Sequence, residues 1–206
     1  MLARAMADDA SPAPSASAGR GTVSPHHFSW DEVLRLAAAN IFGETTRVEL
    51  IAGEIFTMPE EGFLHVDVVH VLQNWLFAHV APLGLSVFIR EPVHLADGSA
   101  LIPDLCVFPG GTDARGMLAA RALLIVEVSD TTLKHDRDVK APRYANDGAQ
   151  ELWIVGARAR AISVHRAPLE GAWTFVDRVV TGRTASPLCA PGASFDPATL
   201  PESSAE

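Results

Sequence analysis

Two carboxylates stand inside otherwise apolar runs. Asp104 lies in Leu101-Ile102-Pro103-Asp104-Leu105-Cys106-Val107-Phe108, and Glu127 lies in Leu123-Leu124-Ile125-Val126-Glu127-Val128-Ser129. An acid within such a strand is costly to bury unless it is paired, hydrogen-bonded or bound to a metal. Two of them on successive predicted strands point to one shared site. Hard carboxylates with water suit Mg²⁺ or Mn²⁺. Such an ion polarises a phosphodiester and lowers the pKa of a bound water. The chemistry expected is metal-assisted hydrolysis, with Asp104 and Glu127 as ligands.

The two-residue period of a strand puts Ser129 on the face of Glu127. A cation to orient water or offset phosphorane charge must then come from elsewhere. Lys140 is the candidate, with Lys134 behind it, and Tyr144 shares its helical face. Pro142 lacks an N–H and is tolerated only in a first helical turn. If Asp138 caps the helix, Lys140 lies near its start, whereas an earlier start needs a kink; Lys140→Ala should spare folding and metal binding while slowing cleavage.

Each residue also has an ordinary explanation. An Asp after Pro is commonly a turn or capping residue, Lys140 a solvated helix residue, and His65 a hydrogen-bonded core histidine. Tyr144, the single tyrosine, and Trp153 read as core. The pairing of two buried acids favours chemistry. No GxSxG, HExxH, P-loop or GxGxxG motif occurs. Ser129 as a hydrolase nucleophile has no nearby base in sequence.

The elements that must position these residues read as follows. Ser29 or Asp31 caps a short helix through Ala39. Arg47–Ile51 and Glu54–Met58 flank Ala52-Gly53 as a hairpin. Phe63 to about Ala81 is a long helix with Val69, Leu72 and Leu76 at helical spacing, and His65 begins its core-facing stripe. Predicted strands cover 85–95 (bent at Pro92), 100–108 and 122–129. A helix follows, ending near Asn146-Asp147-Gly148. Strands at 151–155, 161–166 and 173–180 complete a mixed α/β fold around a central sheet.

The 206 residues fit one domain, 27–200, with a disordered Ala/Ser/Pro/Gly tail at 1–26 and a short tail at 201–206. The formal charge of −9 counts against simple coating of nucleic acid, although a bound divalent ion reverses local charge. No apolar run is long enough to span a membrane. Asp8 and Asp9 interrupt any signal-peptide core. Cys106 and Cys189 form no disulfide framework, so a reduced, cytoplasmic setting is expected.

In order and spacing the chain resembles the Uma-type putative restriction endonucleases. The matching residues are Arg47–Ile55, Pro103-Asp104, Glu127–Leu133, Asp136-Arg137, Val139-Lys140, Tyr144-Ala145, Gly148 and Glu151–Val155. The resemblance spans roughly residues 28–200, and 126–155 is its most specific block. It implies a PD-(D/E)xK, restriction-endonuclease-like fold: a mixed central sheet flanked by helices. It also implies a Mg²⁺- or Mn²⁺-dependent endonuclease acting on DNA, in which a homodimer would cut two strands. By it, Asp104 and Glu127 are metal ligands and Lys140 is a displaced catalytic lysine. His65 matches a histidine of the first core helix, and Ser129, Lys134 and Tyr144 are auxiliary candidates. Leu64 stands where the family often has an acid, for which Glu60 or Glu61 is the available substitute. The competing expectation is a binding module that keeps the fold without catalysis, with Glu127 and Lys140 as a structural ion pair.

Overall fold

The structure, a computed structural model, describes residues 23–43 and 46–203. Most of the expected N-terminal tail, and the end of the C-terminal one, lie outside the described residues.

Helix α1 (Trp30–Ala38) begins at a capping box, in which Ser29 accepts from the Glu32 N–H and the Glu32 carboxylate receives the Ser29 N–H. Its Val33 packs on strands β1 (Val48–Ile51) and β5 (Ala100–Leu101). The predicted hairpin is present. β1 pairs antiparallel with β2 (Glu54–Thr57), and the turn uses a left-handed Ala52 and Gly53. With β4 (Val93–His94) these strands form a small sheet ordered β2-β1-β5-β4.

Helix α2 (Phe63–His79) buries Val68, Val69, Leu72 and Leu76. Its target is the larger sheet, which is ordered β10-β9-β8-β7-β6-β3. The sheet's strands are β3 (Ser86–Ile89), β6 (Leu105–Phe108), β7 (Leu124–Ser129), β8 (Glu151–Gly156), β9 (Ala161–Leu169) and β10 (Ala172–Val180). Alternation sends Leu105, Val107, Val126, Val128, Trp153 and Val155 toward α2. It sends Cys106, Phe108, Ile125, Leu152 and Ile154 to the opposite face, under Tyr144 and the small sheet. Each such side chain is worth about 1.5–3 kcal/mol when fully buried.

Two expected strands are broken. The run 85–95 divides into β3 and β4, which belong to different sheets. At the break Arg90 has φ +54°, and Pro92 has no N–H to offer a ladder. The run 100–108 likewise divides into β5 and β6 across Ile102-Pro103-Asp104. Both breaks let one chain cross from one sheet to the other, and Asp104 sits at the crossing.

β7 and β8 run parallel, the one parallel pair of the larger sheet. Their crossover is α3 (Leu133–His135), a π turn (Asp136–Lys140) and α4 (Ala141–Asn146). The helix therefore starts at Leu133, six residues earlier than a cap at Asp138 would allow. The Ala141 N–H reaches back to the Asp136 carbonyl, one residue beyond α-helical register. That wider turn carries the chain past Pro142, whose missing N–H would otherwise break the ladder.

Candidate functional site

The site forms where the Pro103-Asp104 break meets the end of β7, the N-terminus of α2 and the π turn. Asp104 is one step beyond the Leu105↔Val126 pair, opposite Glu127. Its Oδ2 accepts the Val128 N–H at 2.8 Å, and its Oδ1 lies 3.0 Å from His65 Nε2. Glu61, one turn before His65, places Oε1 3.2 Å from the same nitrogen. Two carboxylates thus share one imidazole edge. Burial would raise Asp104, but the hydrogen bond and charge of His65, the Val128 N–H and Lys140 hold it below the ordinary carboxylate range. Burial would lower His65, yet Asp104 and Glu61 together raise it.

Glu61 is also gripped by Arg47 and Arg90. Arg90 adopts its left-handed backbone while its N–H donates to the Asp104 carbonyl at 3.1 Å. A non-glycine residue in that conformation costs on the order of 1–3 kcal/mol, and such strain gathers at functional sites.

Deeper in the molecule Lys140, only 2% exposed, is closed in by three acids. Its Nζ lies 2.9 Å from Glu49 Oε1, 3.2 Å from Glu127 Oε2 and 3.7 Å from Asp136 Oδ1. Tyr144 donates to Glu127 Oε1 at 2.9 Å. Ser129 and Thr132 both donate to Asp136 Oδ2 at 2.7 Å, and the Ile102 N–H donates to Glu49 Oε1. Burial would lower Lys140, but Glu127, Glu49 and Asp136 outweigh it, so the ammonium stays charged. Glu127 is hard to ionise. Burial raises it first, and Asp136, Glu49 and Asp104 add to that against Lys140. Tyr144 is raised by burial and by the same negative charge.

The sequence candidates thus divide. Asp104, Glu127, Lys140 and His65 line a pocket of about 260 Å³. Ser129 and Tyr144 stand behind it as hydrogen-bond donors to Asp136 and Glu127. Lys134 is exposed on the neighbouring wall, away from the carboxylates. Three acids were not singled out: Glu49, Asp136 and, except as a substitute, Glu61. Glu49 carries the same signal as Glu127, an acid in the buried run Val48-Glu49-Leu50-Ile51. Asp136 carries only its place in the family resemblance, because its inward turn depends on the π register.

The donor set fits a divalent cation. Glu61, His65 and Asp104 offer ligand atoms within 4.8 Å of one another. Among the described residues, the fixed cations paired with Glu49, Glu61, Asp104, Glu127 and Asp136 are Arg47, Arg90 and Lys140, fewer than the acids. That surplus negative charge is what a divalent ion neutralises.

The family model described as Uma2, putative restriction endonuclease, matches residues 30–198. No curated protein matches the sequence. The fold is similar to the crystal structure of a putative nuclease belonging to DUF820 from Anabaena variabilis. The TM-score is 0.67 at 16% identity, over 84% of this chain and 97% of that one. At that identity the likeness is one of fold, and the fold is restriction-endonuclease-like.

Proposed function

The chain belongs to the Uma2 family of putative restriction endonucleases, and on that premise we propose that it is a metal-dependent endonuclease hydrolysing phosphodiester bonds in DNA. The observation that carries the reading is the convergence of Glu61, His65 and Asp104 on one point beside Glu127 and Lys140.

Asp104 and Glu127 are the ligand pair expected from the sequence, and Glu61 and His65 extend it. Glu127 accepts from Lys140 and Tyr144 and keeps lone pairs free, since a carboxylate has about four acceptor positions. A bound Mg²⁺ or Mn²⁺ supplies a polarised phosphoryl oxygen and an acidified water. Lys140 holds Glu127 in orientation and places positive charge at the pocket wall, where it stabilises charge developing on phosphorus. Arg47 and Arg90 at the mouth attract the substrate backbone. We place this activity in the cytoplasm; among the described residues no helix is long and apolar enough to cross a membrane.

Plasmid cleavage with Mg²⁺ or Mn²⁺ tests the reading. Wild type should nick or linearise the plasmid, and Asp104→Ala and Glu127→Ala should each be slower by about 100-fold or more. Cleavage that persists in both variants would remove the site from the chemistry.

A second reading has its own observation. The Lys140–Glu127 pair, closed off by Glu49 and Asp136, is the contact a binding module without catalysis would keep. It predicts no cleavage and no stabilisation by Mn²⁺.

A further inference from the structure

A second pocket adjoins the candidate metal site. Its volume is about 480 Å³, inside the ~300–1,000 Å³ range of small-ligand pockets. Met58, Pro59, Thr131 and Thr132 line both pockets, so the two adjoin. On its far side stand Phe56, from edge strand β2, and His135, from α3. Their ring centroids are 6.3 Å apart at 46°. Phe56 is 36% exposed although it is large and apolar. Lys134 sits on the rim.

We propose that this pocket receives a nucleobase of the substrate strand, turned out of its stack while the adjoining phosphodiester lies at the metal site. The inference rests on the nuclease reading and adds a substrate class: DNA with an unpaired or easily extruded nucleotide. Three observations favour a base over other occupants. The pocket adjoins the one lined by the acids that would act on the phosphate, across Met58, Pro59, Thr131 and Thr132, so a base and its own phosphodiester can occupy the two together. An exposed aromatic face is what a base stacks on, whatever its identity. The rim offers the cation of Lys134 and the hydroxyls of Thr57, Thr131 and Thr132, which suit the phosphate and the polar edges of a base.

His135 gives the pocket a route to the chemistry. Its Nε2 is buried 4.0 Å from Glu49 Oε2, and neither atom has a hydrogen-bond partner among the described residues. Glu49 in turn holds Lys140. A base packed on His135 fixes the ring that faces this acid. The net charge of −9 also disfavours grip along a duplex backbone, so recognition through one base is the cheaper route.

The test compares Mn²⁺-dependent cleavage of a duplex carrying one unpaired nucleotide with cleavage of its fully paired counterpart. Wild type should favour the unpaired substrate by about tenfold. Phe56→Ala should erase that preference and Phe56→Trp should keep it. Equal cleavage of both substrates by wild type, or a preference untouched in Phe56→Ala, overturns the proposal and leaves the nuclease standing. If nothing is cleaved the nuclease reading fails. Binding of a single-stranded oligonucleotide containing 2-aminopurine, in Ca²⁺, then decides the pocket alone. Saturable quenching lost in Phe56→Ala supports it, and quenching that is absent or unchanged in the variant overturns it. Sedimentation velocity supplies one more outcome. A dimer that Phe56→Ala converts to a monomer would make the pocket a subunit contact and overturn the proposal.

Discussion

A lysine enclosed by three carboxylates cannot be removed without leaving them to repel one another. The expectation that Lys140→Ala spares folding therefore changes with the structure: Glu49, Glu127 and Asp136 all lie within 3.7 Å of its ammonium. Lys140→Met should lose about 3–5 kcal/mol in urea unfolding, the usual cost of orphaning a buried charge. A loss under 1 kcal/mol would mean the acids take up protons in its absence. Glu127 should behave in the opposite way. Its pKa is raised in the folded state, so its contribution is intact below the unfolded value of about 4.3 and is lost as pH rises toward the folded value. Glu127→Gln should accordingly raise the melting temperature of the metal-free protein at pH 8, by about 3 °C, with little change near pH 4. A lower melting temperature at pH 8 would favour the structural ion pair of the second reading. Asp104 and Glu127 were legible in the sequence because an acid in an apolar strand is anomalous. Glu49 has the same anomaly, but its hairpin setting gave a sufficient explanation. Arg47 and Arg90 were not legible, since nothing local distinguishes a site arginine from a surface one.

At the level of elements, the π turn is the part on which the site depends most. It directs both Asp136 and Lys140 inward while carrying the chain past Pro142. Deleting one residue there, the exposed Asp138, should restore α-helical register. One residue of a helix is about 100° of rotation, so either Asp136 or Lys140 would leave the carboxylates. The deletion variant should keep near-wild-type helix content by circular dichroism and lose cleavage; retained cleavage would show that Lys140 finds its partners from either register. The hairpin at 47–58 and α2 followed from spacing, and α1 from its cap candidates Ser29 and Asp31. The breaks at 90–92 and 102–104 did not, because only the presence of two sheets explains why a chain of strand-like residues should leave one ladder for another. Pro92, where the sequence indicated a bend, marks the first place, and Pro103 marks the second in hindsight.

For the whole molecule, the surplus of acids makes stability a function of divalent ions. Mn²⁺ at 100 times its dissociation constant should stabilise wild type by about 2.7 kcal/mol, or about 5–10 °C, and should leave Asp104→Ala unmoved. The shift should be larger at pH 8 than at pH 6. His65 must be neutral to act as a ligand, and Asp104 and Glu61 raise its pKa. Its protonated form therefore stabilises the metal-free protein below about pH 6.5, and that contribution is lost as pH rises through the folded value. A shift independent of pH would exclude His65 as a ligand. One feature of the fold bears on how the site comes into being. Parallel strands cannot be joined by a tight turn, and the crossover between β7 and β8 is the segment that delivers Asp136, Lys140 and Tyr144. Docking that crossover closes the central sheet and assembles the carboxylate–lysine cluster in a single event. Because pairing across such a separation is slow, a refolding chain should seat Lys140 among its carboxylates, and so gain cleavage, only at the rate of its slowest sheet step.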